Sequence, residues 1–498
     1  MDSKQYILSP RDAYAAEQKW RIVKRSVDAR QRELKVHLTV LTDDKDQPVA
    51  KEAPIPLYEP PVFQDVHNTE RSVIIIGAGP AGLFAALTLI EHGIKPIIYE
   101  RGKEVSERKK DIALLNRNEG LNPESNYCFG EGGAGTFSDG KLFSRSKKRG
   151  NMQRVMELFH YFGAPDTVLY EAHAHIGSDK LPGIIKKMRE CILEHGGEIH
   201  FETKVESLSP LTTHHSPIIL AIGHSAHDTY RMLAAEGVAL ETKGFAMGVR
   251  AEHPQALINK LMYHLVENQK SKDKSVIDFV GNASYSLVTQ VDGRGVYSFC
   301  MCPGGHIVPA GSEPGSCVVN GMSASHRNSP YANSGMVVQI NPEDLPGDDP
   351  LRGLAFQEEL ERLAFEHGKA PNIAPAQRLK DFVEGKESKT LPACSYLPGV
   401  VSSRLDQWLP AHIGKRLQQG FRDFDRKHPG FLTNDAVILG VESRSSSAVR
   451  IPRDPETLQS VNTPGLYPCG EGAGYAGGIT SSALDGINAA LKIIEAEY

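Results

Sequence analysis

The stretch Ser72–Gly102, "SVIIIGAGPAGLFAALTLIEHGIKPIIYERG", carries the fold of this chain. An apolar run suited to a buried strand breaks at Gly77-Ala78-Gly79-Pro80-Ala81-Gly82, a helical pattern follows, and "PIIYE" supplies a second short strand ending at Glu100. The glycines fit G-x-G-x-x-G between a strand and a helix. Gly77 permits the tight turn, Gly79 lets backbone approach a pyrophosphate, and Gly82 allows the helix to pack closely. The free amides and positive dipole end of the helix favour phosphate charge. Glu100, with Arg101 beside it, stands about 20 residues on, where a carboxylate binds the ribose hydroxyls of an adenosine. The fingerprint by itself serves NAD or FAD.

At 498 residues the chain exceeds one hydrophobic core, so two or three domains are expected. A composition 40% apolar and 23% charged is that of an ordinary globular protein, and a net charge of -5 gives no reason to expect nucleic acid. The basic patch "RSKKRG", Arg145–Gly150, reads as a solvated loop. Seven cysteines, odd in number and scattered, point to a reducing compartment and away from a disulfide framework. The opening "MDSKQYILSPRDA" has neither apolar core nor basic lead, and a cytoplasmic protein is expected. The apolar run Val73–Ile90 raises the question of a membrane span, but Gly77, Gly79, Pro80 and Gly82 suit a strand, a turn and a helix better.

Ala13, Ala16, Trp20, Val23 and Val27 fall at helical spacing within Asp12–Arg30, and "KVHLTVLT", Lys35–Thr42, alternates as a strand. Residues 1–47 thus read as a small N-terminal αβ module, and the proline-dense residues 48–70 as a linker. "GIIKKMRECILEHGGEIHFETKVESL" predicts a helix and then a strand, and "SPIILAIGHSA" a buried strand closed by a glycine turn. Ser284–Cys302 reads as a hairpin turning at Asp292-Gly293, with further strands in "CVVNGMS" and "GMVVQI". Two helical patterns follow, Gly353–Gly368 and a run through Leu405, Leu409, Ile413, Leu417 and Phe421, before the C-terminal part returns to strand, glycine loop and helix.

A second glycine-rich stretch, "CFGEGGAGTFSDGKLFS" from Cys128 to Ser144, holds five glycines among the apolar anchors Cys128, Phe129, Phe137, Leu142 and Phe143. So much bare backbone serves close approach to a ligand or buttresses the Gly77–Gly82 turn. A third, "GLYPCGEGAGYAGGITSSALDG", lies near the C-terminus. With all three present, the sequence resembles the two-dinucleotide-binding flavoprotein superfamily, with a glutathione-reductase-like FAD domain. The order of "GEGGAGTFSDGKLFSR", "SFCMCPGG", "GVESRSSSAVRIPRD" and "CGEGAGYAGGITSSALDG" is similar, over nearly the whole chain, to a bacterial family described as FAD-dependent dehydrogenases.

The resemblance implies an α/β fold: a Rossmann-type FAD-binding domain split between residues 71–243 and 431–498, with an inserted mixed α+β substrate domain at 244–430. It implies that Glu471, after Gly470, reaches the ribityl chain, and that the helix starting near Gly478 and Ile479 points its N-terminus at the flavin pyrimidine ring. A helix N-terminus there stabilises the negative charge of reduced flavin. Val205 backbone would meet adenine, and Gly223 would close the internal strand and turn. Gly132, Gly133, Gly135 and Ser138, with Lys141 nearby, are expected against the pyrophosphate, ribityl or isoalloxazine.

FAD carries the redox chemistry, leaving orientation, electrostatics and a substrate pocket to the protein. Cys300 and Cys302 would share a strand face with Ser298, either as a dithiol passing electrons to FAD or as a small face packed near a ligand. Residues two apart on a strand are poorly disposed for a disulfide. His306, after Pro303-Gly304-Gly305, is a candidate proton donor or an ordinary turn histidine. Arg444 is a candidate for holding a substrate carboxylate or the flavin O2, or for pairing with Glu442. His173 and His175 in "EAHAHIG" lack further ligands at zinc spacing, so no metal is expected. His224, His227 and Asp228 have no G-x-S-x-G elbow to support a hydrolase triad.

No second G-x-G-x-x-G follows a strand, so NAD(P)H would dock over FAD as a diffusible reductant, or the substrate or a redox protein partner would reduce it. The expected activity is an FAD-dependent oxidoreductase moving a hydride between flavin N5 and a small-molecule substrate. The rival readings are an FAD-dependent monooxygenase and a non-catalytic FAD-binding scaffold.

Overall fold

Strand Ser72–Ile76 lies at the centre of a parallel five-stranded sheet, ordered Leu466–Pro468, Ile218–Leu220, Ser72–Ile76, Lys95–Tyr99, Glu198–His200. This is a computed structural model, and it describes all residues except 1, 31–32, 54–56, 144–149, 213–215, 265–276 and 498. The patch "RSKKRG" falls almost wholly outside the described residues. Burial of Val73 to Ile76 on both faces is the mark of a parallel sheet covered on each side. One edge strand comes from the C-terminal segment, so the Rossmann-like sheet is assembled from parts far apart in sequence.

Helix Pro80–Glu91 is buried from Ala81 through Ile90, with the sheet on one side and helix Ile479–Glu497 on the other. Glycine makes both approaches possible. A Cβ at Gly82 would collide with the carbonyl oxygen of Gly77, and one at Gly486 with that of Ala81. Gly77 has φ +106, and a Cβ there would collide with the carbonyl oxygen of Ala221 on the neighbouring strand's exit.

The second sheet has seven strands, ordered Val288–Val291, Arg294–Cys302, Tyr331–Ile340, Phe245–Pro254, Val437–Glu442, Ala374–Arg378, Val400–Ser402. Its pairs are antiparallel except the last. Helix Ala411–Lys427 packs Ile413, Leu417, Phe421 and Phe424 into its core. The hairpin turns at Asp292 and Gly293, both left-handed at φ +48 and +73, as a two-residue turn with both central residues at positive φ requires.

Strand Val437–Glu442 pairs in the middle of this sheet, between Phe245–Pro254 and Ala374–Arg378. A boundary at 431 therefore detaches a central strand, and the chain returns toward the parallel five-stranded sheet only beyond Glu442. The N-terminal residues differ more. Helix Pro10–Glu17 stops early, and Ile22–Asp28 is a strand beside Lys35–Thr42, in a sheet ordered Asp2–Leu8, Lys35–Thr42, Ile22–Asp28. Val23 is 45% exposed, while Arg25 turns inward to Glu17 and Glu171 at 2.7 and 2.6 Å. The four-residue spacing of Val23 and Val27 fits a strand face as well as a helix face, and sheet pairing wins.

"HFETKVESL" keeps only the end of Glu198–His200 as strand before Glu202 turns at φ +52. The helical run from Leu405 divides at Pro410, giving Leu405–Trp408 and Ala411–Lys427. Among the described residues, no helix is long and apolar enough to cross a membrane.

Candidate functional site

A cavity of about 1070 Å³ lies between the two sheets. Gly77, Gly79, Pro80 and Ala81 line one end, Gly133, Gly135 and Ser138 of the second glycine stretch line a side, and Gly470, Glu471, Gly478 and Ile479 line another. The opposite wall is the bulged end of Arg294–Cys302, with Tyr297, Phe299, Cys300 and Met301.

The glycines sort into two kinds, and the difference tests the fit of FAD. Gly77 and Gly82 are required by the protein's own packing. A Cβ at Gly79 would meet only the Cα of Gly133, at 3.9 Å, and one at Gly223 or Gly478 would meet nothing within 4 Å. All three line the cavity, but Gly223 and Gly478 sit at φ +71 and +150, where glycine serves the backbone itself, so it is the bareness of Gly79 that leaves room for something other than protein. A pyrophosphate beside Gly79, at the start of helix Pro80–Glu91, is what such a cradle accommodates. The residues present fit the cofactor.

Glu100 accepts more from the protein than the fingerprint suggests. Oε2 takes the amide of Ala78 at 2.9 Å, and Oε1 takes those of Gly102 and Gly130 at 2.8 and 3.0 Å. The carboxylate thus ties the first glycine turn to the second glycine stretch, with remaining lone pairs at the cavity wall. Arg101 is also at the wall, its guanidinium held by Glu124 and bidentate to Asp228, over the Phe129 ring at 4.1 Å.

The second glycine stretch divides between residues that pack against the first turn and residues that line the cavity. Gly132, at φ +79, donates its amide to Ala78 at 2.8 Å, and a Cβ there would collide with Thr136, so this glycine buttresses the turn. Neither Gly132 nor Gly82 lines the cavity, whereas Gly133, Gly135, Ser138 and Lys141 do. Val205 and Gly223 line it as well. Glu471 Oε1 lies 3.7 Å from Nδ1 of His224, another lining residue that sequence reasoning set aside.

Of the candidate catalytic residues, Arg444 and Cys300 reach the cavity wall, whereas His306 and Cys302 do not. His306 begins strand His306–Pro309, is exposed, and is not among the lining residues. Arg444 reaches the wall, but its Nε and Nη2 are bonded to both oxygens of Glu361, at 2.9 and 2.8 Å, and Nη1 to Ser312 at 2.6 Å. Glu442 pairs instead with Arg250, at 3.0 Å. Burial pushes Glu442 up to about 7 against the pull of that guanidinium. Cys302 is fully buried, and Cys300 is the sulfur at the wall.

Lys141 joins these groups. Its Nζ lies 3.0 Å from Asp139, 3.8 Å from the Cys300 sulfur and 3.6 Å from that of Cys302. Burial pulls its ammonium down, yet Cys300, Cys302 and Asp139 together hold it above its ordinary value. Asp139 is also bidentate to Arg327. Burial pushes the Asp139 carboxyl up, and Lys141 and Arg327 outweigh it, keeping Asp139 well below the usual range.

Sequence reasoning missed Arg250 and Arg327. The one signal for Arg250 is a lone arginine inside the apolar strand "FAMGVRAEHP", matched by the glutamate ending "VILGVE". His173 lines the cavity against Phe143, while His175 bonds to the Ser325 carbonyl, so the two do not converge. Among the described residues, His227, Glu313 and Glu358 group closely enough to hold a metal, but Arg231 already answers Glu358 at 2.6 Å.

Residues 70–230 match the family described as FAD binding domain, and residues 244–445 the family described as FAD-dependent protein, C-terminal domain-like. An uncharacterized protein of Clostridium beijerinckii is 41% identical over 499 residues, covering 95% of this chain and 92% of its own. Among solved structures, CtdE in complex with FAD covers 85% of this chain and 84% of its own at 10% identity and a TM-score of 0.29. Tetracycline destructase Tet(51) covers 86% and 83% at 11% identity and a TM-score of 0.32. Likenesses this distant carry no argument about the chemistry of this chain. The relative's identity over nearly its full length, and the two family matches, give the conclusion: the chain belongs to the family of FAD-dependent proteins in which an FAD-binding domain is followed by this C-terminal domain-like region.

Proposed function

We propose that the protein is an FAD-dependent oxidoreductase that moves a hydride between flavin N5 and a small organic substrate held in the cavity between the two sheets. One observation supports this above the others: the cavity has two chemically different walls. Bare glycine backbone and two helix N-termini suit a dinucleotide, while Tyr285, Tyr297, Phe299 and Met301 suit an organic molecule. At about 1070 Å³, the volume is at the upper end for small-molecule sites.

In this reading Gly79 and the first turn of Pro80–Glu91 take the pyrophosphate, Val205 lies by adenine, and Glu471 holds the ribityl hydroxyls. Ile479–Glu497 directs its N-terminus at the pyrimidine ring. Bound FAD supplies the redox chemistry. The protein's residues orient both molecules, exclude water through the aromatic wall, and place positive charge at Lys141 and Arg327. NAD(P)H or a redox protein partner serves as electron donor, and the scattered cysteines suit a reducing cytoplasm.

Anaerobic titration of the purified protein with NADH, then NADPH, tests the reading. Bleaching of the flavin band by either makes this a nicotinamide-fed reductase, and bleaching only by an organic substrate makes it a dehydrogenase. A product that carries an oxygen atom from O₂ would assign a monooxygenase instead. A flavin reduced by no substrate, nicotinamide or protein donor would make it a scaffold.

A further inference from the structure

Strand Arg294–Cys302 loses its two-residue alternation at the cavity wall. Phe299 pairs with Gly335 and Cys302 with Asn333, so the strand carries one extra residue, a β-bulge. Cys300 takes φ +46 there, a left-handed conformation that a residue with a side chain adopts only against a steric penalty. Such bulges recur beside active sites, where they re-aim a side chain.

The bulge brings two sulfurs and two cations together. Lys141 Nζ touches both sulfurs, at 3.8 and 3.6 Å, and the Cys302 thiol donates to the Cys300 carbonyl at 3.3 Å. Arg250 Nη2 lies 3.6 Å from the Cys302 sulfur and donates to the Cys300 carbonyl at 2.8 Å. Arg250 is itself locked by Glu442 at 3.0 Å and Asn333 at 2.9 Å. Cys300 is at the wall, and Cys302 is fully buried behind it.

Cations beside a thiol favour the thiolate, which is the reactive form. The neighbouring Cys302 thiol holds Cys300 well below the ordinary thiol range, and Lys141 and Arg250 add to this against burial and the Asp139 charge. Cys302 moves up, by the neighbouring Cys300 sulfur and by burial. One sulfur of the pair is thus favoured as thiolate while the other keeps its proton.

We propose that Cys300 and Cys302 form a redox-active dithiol that exchanges an electron pair with FAD bound in the same cavity, with Cys300 as the accessible sulfur and Cys302 as its resolving partner. This rests on the FAD reading above. In the oxidising direction the Cys302 S–H bond breaks and a sulfur–sulfur bond forms. Two electrons and the thiol proton, together one hydride equivalent, pass to oxidised flavin, which becomes its reduced anion. Thiolate, thiol and oxidised flavin thus give disulfide and reduced flavin with no further reactant. Lys141 is a positioning residue that stabilises the thiolate.

The test uses the flavin-bearing protein. In one arm, air-oxidised protein is denatured anaerobically in an alkylating reagent, before and after dithionite, and the peptide spanning both cysteines is weighed. In the other, dithionite is titrated against the flavin band in wild type, Cys300→Ser and Cys302→Ser. The expected result is a peptide closed to alkylation when oxidised and alkylated twice after reduction. Wild type should also consume about twice as much dithionite per flavin as either variant. Lys141→Met should shift the pH at which Cys300 alkylates to higher values, a change that loss of packing alone would not give. Both sulfurs free while the flavin is fully oxidised, with equal dithionite consumption, would overturn the proposal. Should a serine variant fail to fold, the alkylation arm decides on wild type alone. A protein that neither carries nor binds flavin contradicts the FAD reading and the exchange together, whereas a flavin-bearing protein with both sulfurs free contradicts only the exchange.

Discussion

Glu361 holds Arg444 through both carboxylate oxygens, at 2.9 and 2.8 Å, and the two residues are only 1% and 5% exposed. The pair joins helix Arg352–Gly368 to the segment just after strand Val437–Glu442, at the wall of the cavity. Burial alone would raise the Glu361 carboxyl, and Arg444 reverses this and lowers it. An arginine so committed positions the wall.

Removing one partner leaves an uncompensated buried charge. Glu361→Ala should therefore lose about 3–5 kcal/mol of stability, read by urea denaturation. Replacing both residues by apolar ones of similar volume should cost much less. A loss under about 1 kcal/mol for Glu361→Ala, the range of exposed pairs, would show that the pair is not buried as described.

The glycines of the fingerprint should separate folding from binding. Gly79→Val places its side chain where the protein leaves space, so the variant should fold and melt much as wild type without FAD, and purify colourless. Gly82→Val would collide with the Gly77 carbonyl, so it should unfold or accumulate as insoluble chain. Circular dichroism and flavin absorbance on the two variants check this. A yellow Gly79→Val protein would contradict the phosphate position.

Glu252 gives a pH dependence with a defined sign. Burial pushes its carboxyl up to about 7, although the hydroxyl and amide of Ser395 and the charge of Arg250 pull it down. A carboxyl that is higher in the folded chain than in the unfolded one keeps its proton longer when folded. Its stabilisation is complete below the ordinary value of 4.5 and is lost as pH rises through about 7. Glu252→Gln should flatten the decline of stability across that window, by on the order of 3 kcal/mol. Denaturant midpoints of both proteins across the window check it, and identical slopes would contradict it.

What was legible in the sequence was local. Ser72–Gly102 shows its strand, turn and helix because glycine spacing and apolar period act over a few residues, and the hairpin at Asp292-Gly293 is visible for the same reason. The pairs Lys141 with Cys300, Arg250 with Glu442 and Arg444 with Glu361 join distant parts of the chain, and no local pattern announces them. Cys300 and Cys302 looked equivalent because strand alternation hides a bulge. Val23 and Val27 suggested a helix because a four-residue interval also returns to the same face of a strand. The boundary at 431 missed that Val437–Glu442 belongs between two strands from earlier in the chain.

The measurement to make first is the identity and amount of flavin in the purified protein, released by heat, identified by mass and quantified against protein, with added FAD titrated into any flavin-free fraction. One FAD per chain in wild type, lost in Gly79→Val, is the predicted result. Wild-type protein that carries no flavin and binds no added FAD would contradict the cavity assignment on which the proposed activity rests.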